Sequence, residues 1–197
     1  MKKNIQVNRF DLVDPASSYN RNVLDRVRTL TYQIRFRKKL IFGVNSIIKK
    51  GSEFKLTECA IIIMGNHCTI KENCYFLLTK PSPRVEIGNY SGVGRNCYFS
   101  IKGHLKIGNY VRIGPDVSII DQSHSFEPFD LIMNQPAVIK NITINDDVWI
   151  GRGVTLLPGV TIGEGSVIGA NSLVNKSIPE NEIWGGVPAR FLKKRGE

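Results

Sequence analysis

The chain has 197 residues, enough for one domain with a continuous core. Its 42% hydrophobic and 22% charged residues are ordinary for a globular protein, and no apolar run is long enough to cross a bilayer. The net charge of +10 points either to an anionic partner (nucleic acid, acidic lipid or a phosphorylated small molecule) or to a solubilising surface.

The charge is concentrated at the start. Residues 1–50 hold twelve Lys and Arg against Asp11, Asp14 and Asp25, a net +9. The opening "MKKNIQVNRFDLVDPASS" lacks the apolar stretch of a signal peptide, so the chain reads as cytoplasmic. Val23, Val27, Leu30 and Ile34 are spaced four, three and four, which predicts a short amphipathic helix. The basic "RFRKKLIF" beside it could bring the protein to an anionic membrane at its inner face. From about Leu40 the pattern turns β-like. The predicted organisation is a basic, partly helical segment 1–40, a β domain 41–188 and a basic tail 189–197.

Six-residue repeats dominate the β domain. They are faint at Met64, Ile70 and Phe76, then clear at Ile87, Val93 and Phe99. After a two-residue slip they resume at Ile107, Ile113 and Ile119, and they run unbroken from Ile144 through Ile150, Leu156, Ile162 and Ile168 to Val174. Gly follows the apolar residue at positions 88, 94, 108, 114, 151, 163 and 169, and a small or β-branched residue sits four places after it. A period of six is neither helical nor simple alternation. It predicts short strands joined by two-residue corners, three to a coil of 18 residues, with glycine relaxing the corner backbone. Stacked coils make a parallel β-helix. Cys68, Cys74 and Cys97 fall in the small-residue column as compact hydrophobes, and no cysteine or histidine spacing suits a metal.

The pattern [LIV]-G-x-x-[STAV]-x, with "DDVWIGRGVTLLPGVTIGEGSVIGANSLVNKSIPENEIWGGVPAR", resembles the hexapeptide-repeat O-acetyltransferases of the galactoside and maltose type. It is closer still to those that modify polysaccharide and lipopolysaccharide sugars. The likeness spans residues 60–192 and is most specific from 142 onward. It implies a left-handed coil, a homotrimer with active sites between subunits, acetyl-CoA as co-substrate without a metal, and a sugar or glycan acceptor.

The repeat breaks once, at "DQSHSFEPFDLIMNQPAVIKN", residues 121–141, where a solenoid accommodates a functional insertion. Its Phe126, Phe129, Leu131, Ile132 and Met133 are expected to pack on a neighbouring subunit. The resemblance implies that His124 is the general base, a role suited to imidazole; the nearby Asp121 is a candidate to orient its ring or hold the tautomer, a task a backbone carbonyl could equally perform. It also maps the oxyanion-binding amide to Arg152, the pantetheine arm to Gly169 and Ala170, and cofactor contacts to Asn175, Lys176, Arg190 and Lys193. Trp149 and Ser100 are expected near the acceptor. His67 and His104 read as surface residues. Two other readings remain: a zinc carbonic anhydrase on the same fold, disfavoured by three widely spaced histidines, and a basic anion-binding module without catalysis. Nucleic acid is not the expected partner, because the cations lie outside the strong repeat and lack interleaved aromatics.

Overall fold

Each hexad contributes one short strand, and strands one coil apart pair in parallel. The computed structural model describes residues 23–197, so the first part of the expected basic segment, 1–22, lies outside the described residues. Six coils stack into a three-sided prism. Its first sheet runs from Leu40–Phe42 to Thr161–Ile162, and its third from Glu53–Leu56 to Leu173–Val174. The second runs from Ile47–Ile48 through Val167–Ile168 to Glu182–Gly186. Ala189–Lys194, expected as a tail, returns antiparallel to Glu182–Gly186 as the last strand of the second sheet.

The 18-residue coil holds only late in the chain. Register partners Leu40 and Ile62, Ile62 and Val85, and Val85 and Leu105 give early coils of 22, 23 and 20 residues, whereas Thr143 and Thr161 give 18. The extra residues lengthen corners and leave the interior column intact. That column is fully buried and includes a stack of Phe54, Phe76 and Phe99 with ring centroids 5.0 and 4.3 Å apart.

The glycine column does something other than expected. Positive φ falls two residues later, on Asn73, Tyr90, Asn96, Tyr110, Asp116 and their equivalents. The column glycines are needed because one coil's backbone crosses directly over the next. A Cβ on Gly94 would lie 2.4 Å from the Gly114 carbonyl carbon, and one on Gly163 would lie 2.3 Å from the Glu180 nitrogen. The small-residue column meets the same carbonyls from inside. The Ser91 hydroxyl donates to Gly108 O at 2.7 Å, and the Cys68 and Cys74 thiols donate to Gly88 O and Gly94 O at 3.0 Å. Burial pushes the Cys68 thiol up, and hydrogen bonding to Cys74 together with burial pushes Cys97 up. Cys68 and Cys97 are thereby held as protonated structural donors, while hydrogen bonding from Cys97 draws Cys74 down.

The predicted helix forms over Val23–Arg35, but its apolar stripe does not face the prism. Val23, Val27, Leu30 and Ile34 are exposed, while Asp25 and Thr29 on the opposite face are buried. Polar groups on that face meet specific partners at the first coil. The Thr29 hydroxyl accepts from the Ile48 amide at 3.0 Å, and the Tyr32 hydroxyl donates to Ser52 O at 2.6 Å.

Candidate active site

The excursion leaves the third sheet after Ser118–Ile120 and forms a β-hairpin. Gln122–His124 pairs antiparallel with Ala137–Ile139, with His124 opposite Ala137. The connecting loop is tied by its own side chains. The Gln135 amide nitrogen donates to the carbonyls of Glu127 and Asp130 at 2.8 Å, and the Asp130 carboxylate accepts from the Leu131 amide at 2.7 Å. The loop therefore holds a defined shape although Phe126, Phe129 and Met133 are 77%, 83% and 82% exposed.

His124 is exposed, and its ring makes no hydrogen bond among the described residues. Asp121 does not orient it, contrary to the expected role. The Asp121 side chain is fully buried, and its carboxylate accepts from the amides of Lys102 at 2.9 Å and Gly103 at 2.7 Å. Lys102 and Gly103 are the two-residue slip, so this carboxylate organises the irregular corner beneath the hairpin. Its backbone carbonyl also accepts from the Lys140 amide at 2.8 Å, closing the base of the excursion. Burial pushes its pKa up, opposed by the Lys102 and Gly103 amides. Asp121→Ala leaves both amides buried without an acceptor and is expected to destabilise the fold by about 2–4 kcal/mol in denaturant titration.

Ser100, also buried, accepts from the Gln122 amide nitrogen at 2.8 Å. This links the site strand to the hairpin, and Gln122 is a residue that sequence reasoning missed because it lies outside the hexad register. His104 lies elsewhere, on the outside of the first sheet, with its Nε2 3.4 Å from a Glu86 carboxylate that Arg84 holds below its usual range.

The remaining candidates fall on a different corner. Trp149, exposed, lies on the second-sheet strand Trp149–Ile150 and not on a turn. Arg152 begins the turn from the second sheet to the third, and its guanidinium binds Asp116 at 2.8 Å. Its backbone N–H is more informative. At the matching turn position on the first corner, the amides of Val44, Asn66, Asn89 and Asn109 are each capped by an Asn or Asp side chain of the next coil. On the second corner the Arg152 and Ala170 amides have no acceptor among the described residues. Gly169 is also atypical of its column, since a Cβ there would meet nothing closer than Trp184 O at 3.5 Å. Coil packing thus does not require glycine at this position, whereas a narrow ligand lying along the backbone would.

Beyond these amides, Arg190 and Lys193 lie exposed on the last strand of the same sheet. Arg190 stands opposite Gly185, in line with Gly169 and Gly151 along the stacking direction, and Lys193 stands opposite Ile183 farther along the same strand. Trp184 is partly buried against the core and donates from Nε1 to Glu182 at 2.7 Å. Asn175 and Lys176 lie past Leu173–Val174, at the opposite edge of the third sheet, on the same corner as His124. The expected site residues thus fall in two groups: Trp149, Arg152, Gly169, Ala170, Arg190 and Lys193 on the second sheet and its corner with the third, and Ser100, His124, Asn175 and Lys176 on the third sheet and its far corner.

The prism is built of hexapeptide coils, and the bacterial transferase hexapeptide (six repeats) family matches residues 141–176. The chain is 32% identical over 153 residues to a galactoside O-acetyltransferase of Lactococcus lactis, covering 78% of this chain and 72% of that one. It is 43% identical over 96 residues to an Escherichia coli K12 protein named for lipopolysaccharide biosynthesis O-acetyl transfer, WbbJ, covering 45% of this chain and about half (49%) of that one. Among solved structures, it resembles a hexapeptide-repeat acetyltransferase of Vibrio cholerae complexed with acetyl coenzyme A. That likeness has a TM-score of 0.58 at 26% identity, over 90% of this chain and 81% of the other. The chain belongs to the hexapeptide-repeat acetyltransferase family and is an acyltransferase.

Proposed function

We propose that this protein is an acetyl-CoA-dependent O-acetyltransferase acting on a sugar hydroxyl in surface polysaccharide or lipopolysaccharide synthesis, at sites completed between subunits of a homotrimer. The observation that carries the reading is the division of the site. The imidazole and the uncapped amides sit on opposite edges of one sheet, and side-by-side packing of a neighbouring copy would bring them together. The exposed Phe126, Phe129 and Met133 on a well-tied loop suit burial against that neighbour. The relatives named for galactoside and lipopolysaccharide O-acetyl transfer support the sugar acceptor.

The thioester supplies the acyl group. His124 removes the proton from the acceptor hydroxyl as its oxygen attacks the carbonyl carbon. The Arg152 amide of the neighbouring copy donates to the carbonyl oxygen as negative charge develops there. Imidazolium then returns the proton to the departing thiolate, so no covalent enzyme intermediate is needed. The Ala170 amide and Gly169 hold the pantetheine arm, while Lys176, Arg190 and Lys193 face the phosphates and Asn175 adds a polar contact. Trp149 and Ser100 line the acceptor side.

Thiol release from acetyl-CoA with a panel of sugars tests the activity. An oligonucleotide shift with no thiol release would overturn it. The shared site has a sharper test. Arg152→Pro removes the amide donor, and the fold accepts it because Pro115 occupies the matching turn position one coil earlier; it also removes the guanidinium that binds Asp116, so Arg152→Ala, which keeps the amide, is the control. Loss of an oxyanion donor is expected to lower kcat by about 10²–10³. Co-refolded with His124→Ala, it should recover about a quarter of wild-type turnover, since random mixing leaves that share of interfaces with both groups intact. No recovery would place both groups in one chain's site.

A further inference from the structure

The N-terminal helix presents its apolar stripe to solvent. Its other face is committed to the prism through Thr29, Tyr32 and an Asp25 carboxylate bound by Arg28 and Lys49. Tyr32 and Phe36 also pack on Phe54, the last ring of the interior stack, at 5.3 and 5.9 Å. The helix thus lies across the open end of the first coil. On its outward side Val23, Leu24, Val27, Leu30 and Ile34 are 74%, 68%, 57%, 56% and 63% exposed. A stripe of this kind ordinarily faces a core. Here polar contacts fix the helix the other way round, and the stripe is left for a different partner.

Charge identifies that partner. Arg26, Arg35, Arg37 and Lys38 are exposed beside or just beyond the stripe, and the one acid of the helix, Asp25, is buried and already paired. A second copy of this face would bring cation against cation. An anionic surface accepts the stripe and its flanks together, with the apolar side chains entering the headgroup boundary and the arginines remaining at phosphate level. We propose that this helix docks the enzyme on an anionic lipid bilayer, lying in the plane of the headgroups. In the parallel trimer, on whose existence this part of the inference rests, three such helices cap the same end and engage one membrane together. The His124 hairpin leaves the fourth coil, three strand spacings or about 14 Å along the axis from the first. Docking would therefore hold the acceptor cleft at a set height above the lipid, a geometry suited to lipid-linked glycans.

The test is flotation of the full chain with vesicles of phosphatidylcholine alone or with phosphatidylglycerol. The wild type is expected to float with the anionic vesicles at low salt only. The double variant V27D/L30D, altered only at exposed positions, should melt as the wild type does and bind at least tenfold more weakly. R26E/R37E, which spares the stripe, should also lose binding. Wild-type protein that fails to bind anionic vesicles, or variants that bind unchanged, would overturn the proposal. So would a wild-type assembly larger than a trimer that V27D/L30D dissolves without lipid, since the stripe would then join copies. Sedimentation of the same preparations separates the two readings: a monomer whose vesicle binding depends on Val27 and Leu30 sinks the trimer and keeps the docking surface.

Discussion

His124→Ala is expected to lower kcat by about two to four orders of magnitude while leaving the affinity for coenzyme A within a few-fold of wild type. The first half follows from chemistry: a sugar hydroxyl is a weak nucleophile until a base removes its proton, and imidazole does this near neutral pH. The second half follows from the architecture. The groups assigned to the cofactor's acyl end, the Arg152 and Ala170 amides, belong to another corner of the prism, and trimming a side chain on the hairpin leaves that corner untouched. The ring makes no hydrogen bond among the described residues, so its removal exposes no buried donor there and folding should be unaffected. Steady-state turnover with acetyl-CoA, calorimetric titration with coenzyme A and a melting curve together check this. Near-normal turnover would remove the assigned role. Lost cofactor binding would mean that the histidine positions the thioester rather than activating the hydroxyl.

Gly94→Ala should be among the most destabilising single changes in the chain, by about 3 kcal/mol or more. A methyl there lies 2.4 Å from backbone atoms of Gly114, and backbone cannot rotate aside as a flexible side chain can. Whole coils would have to separate, breaking the bonds by which the Gly94 amide meets Ile113 O and the Gly114 amide meets Ile150 O, both at 2.8 Å. Gly169→Ala is the control. It belongs to the same sequence column, but its Cβ would make only an ordinary contact, so stability should change by less than about 1 kcal/mol while coenzyme A affinity falls. Denaturant titration of both variants measures the contrast, and equal destabilisation would refute this account of the column.

Much of this molecule is legible in one dimension, because a solenoid makes each structural decision locally and repeats it. The period of six, the inward apolar column and the insertion at 121–141 all follow from residue order. The excursion that carries His124 is marked by the break in rhythm itself, whereas Arg152 and Ala170 are singled out by the family resemblance of the segment that holds them. Three things were not legible. The glycine column reads as a φ requirement, yet it answers to the neighbouring coil, whose distance along the chain varies from 16 to 23 residues outside the excursion. Asp121, three places before a histidine with two residues between, looks like its orienting partner. Tertiary structure gives its carboxylate instead to the amides of Lys102 and Gly103, since burial there demands that those donors be satisfied.

The helix is the third. Spacing alone determined that Val23, Val27, Leu30 and Ile34 share one face, but it carried no information on which face the prism would take. That was decided by Thr29 and Tyr32 finding backbone partners at Ile48 and Ser52, contacts across about twenty residues that exist only once the first coil has closed. Periodicity records which side chains stand together. Which of them are covered depends on polar groups that must be paired at the contact, and only the folded chain shows where those pairs form.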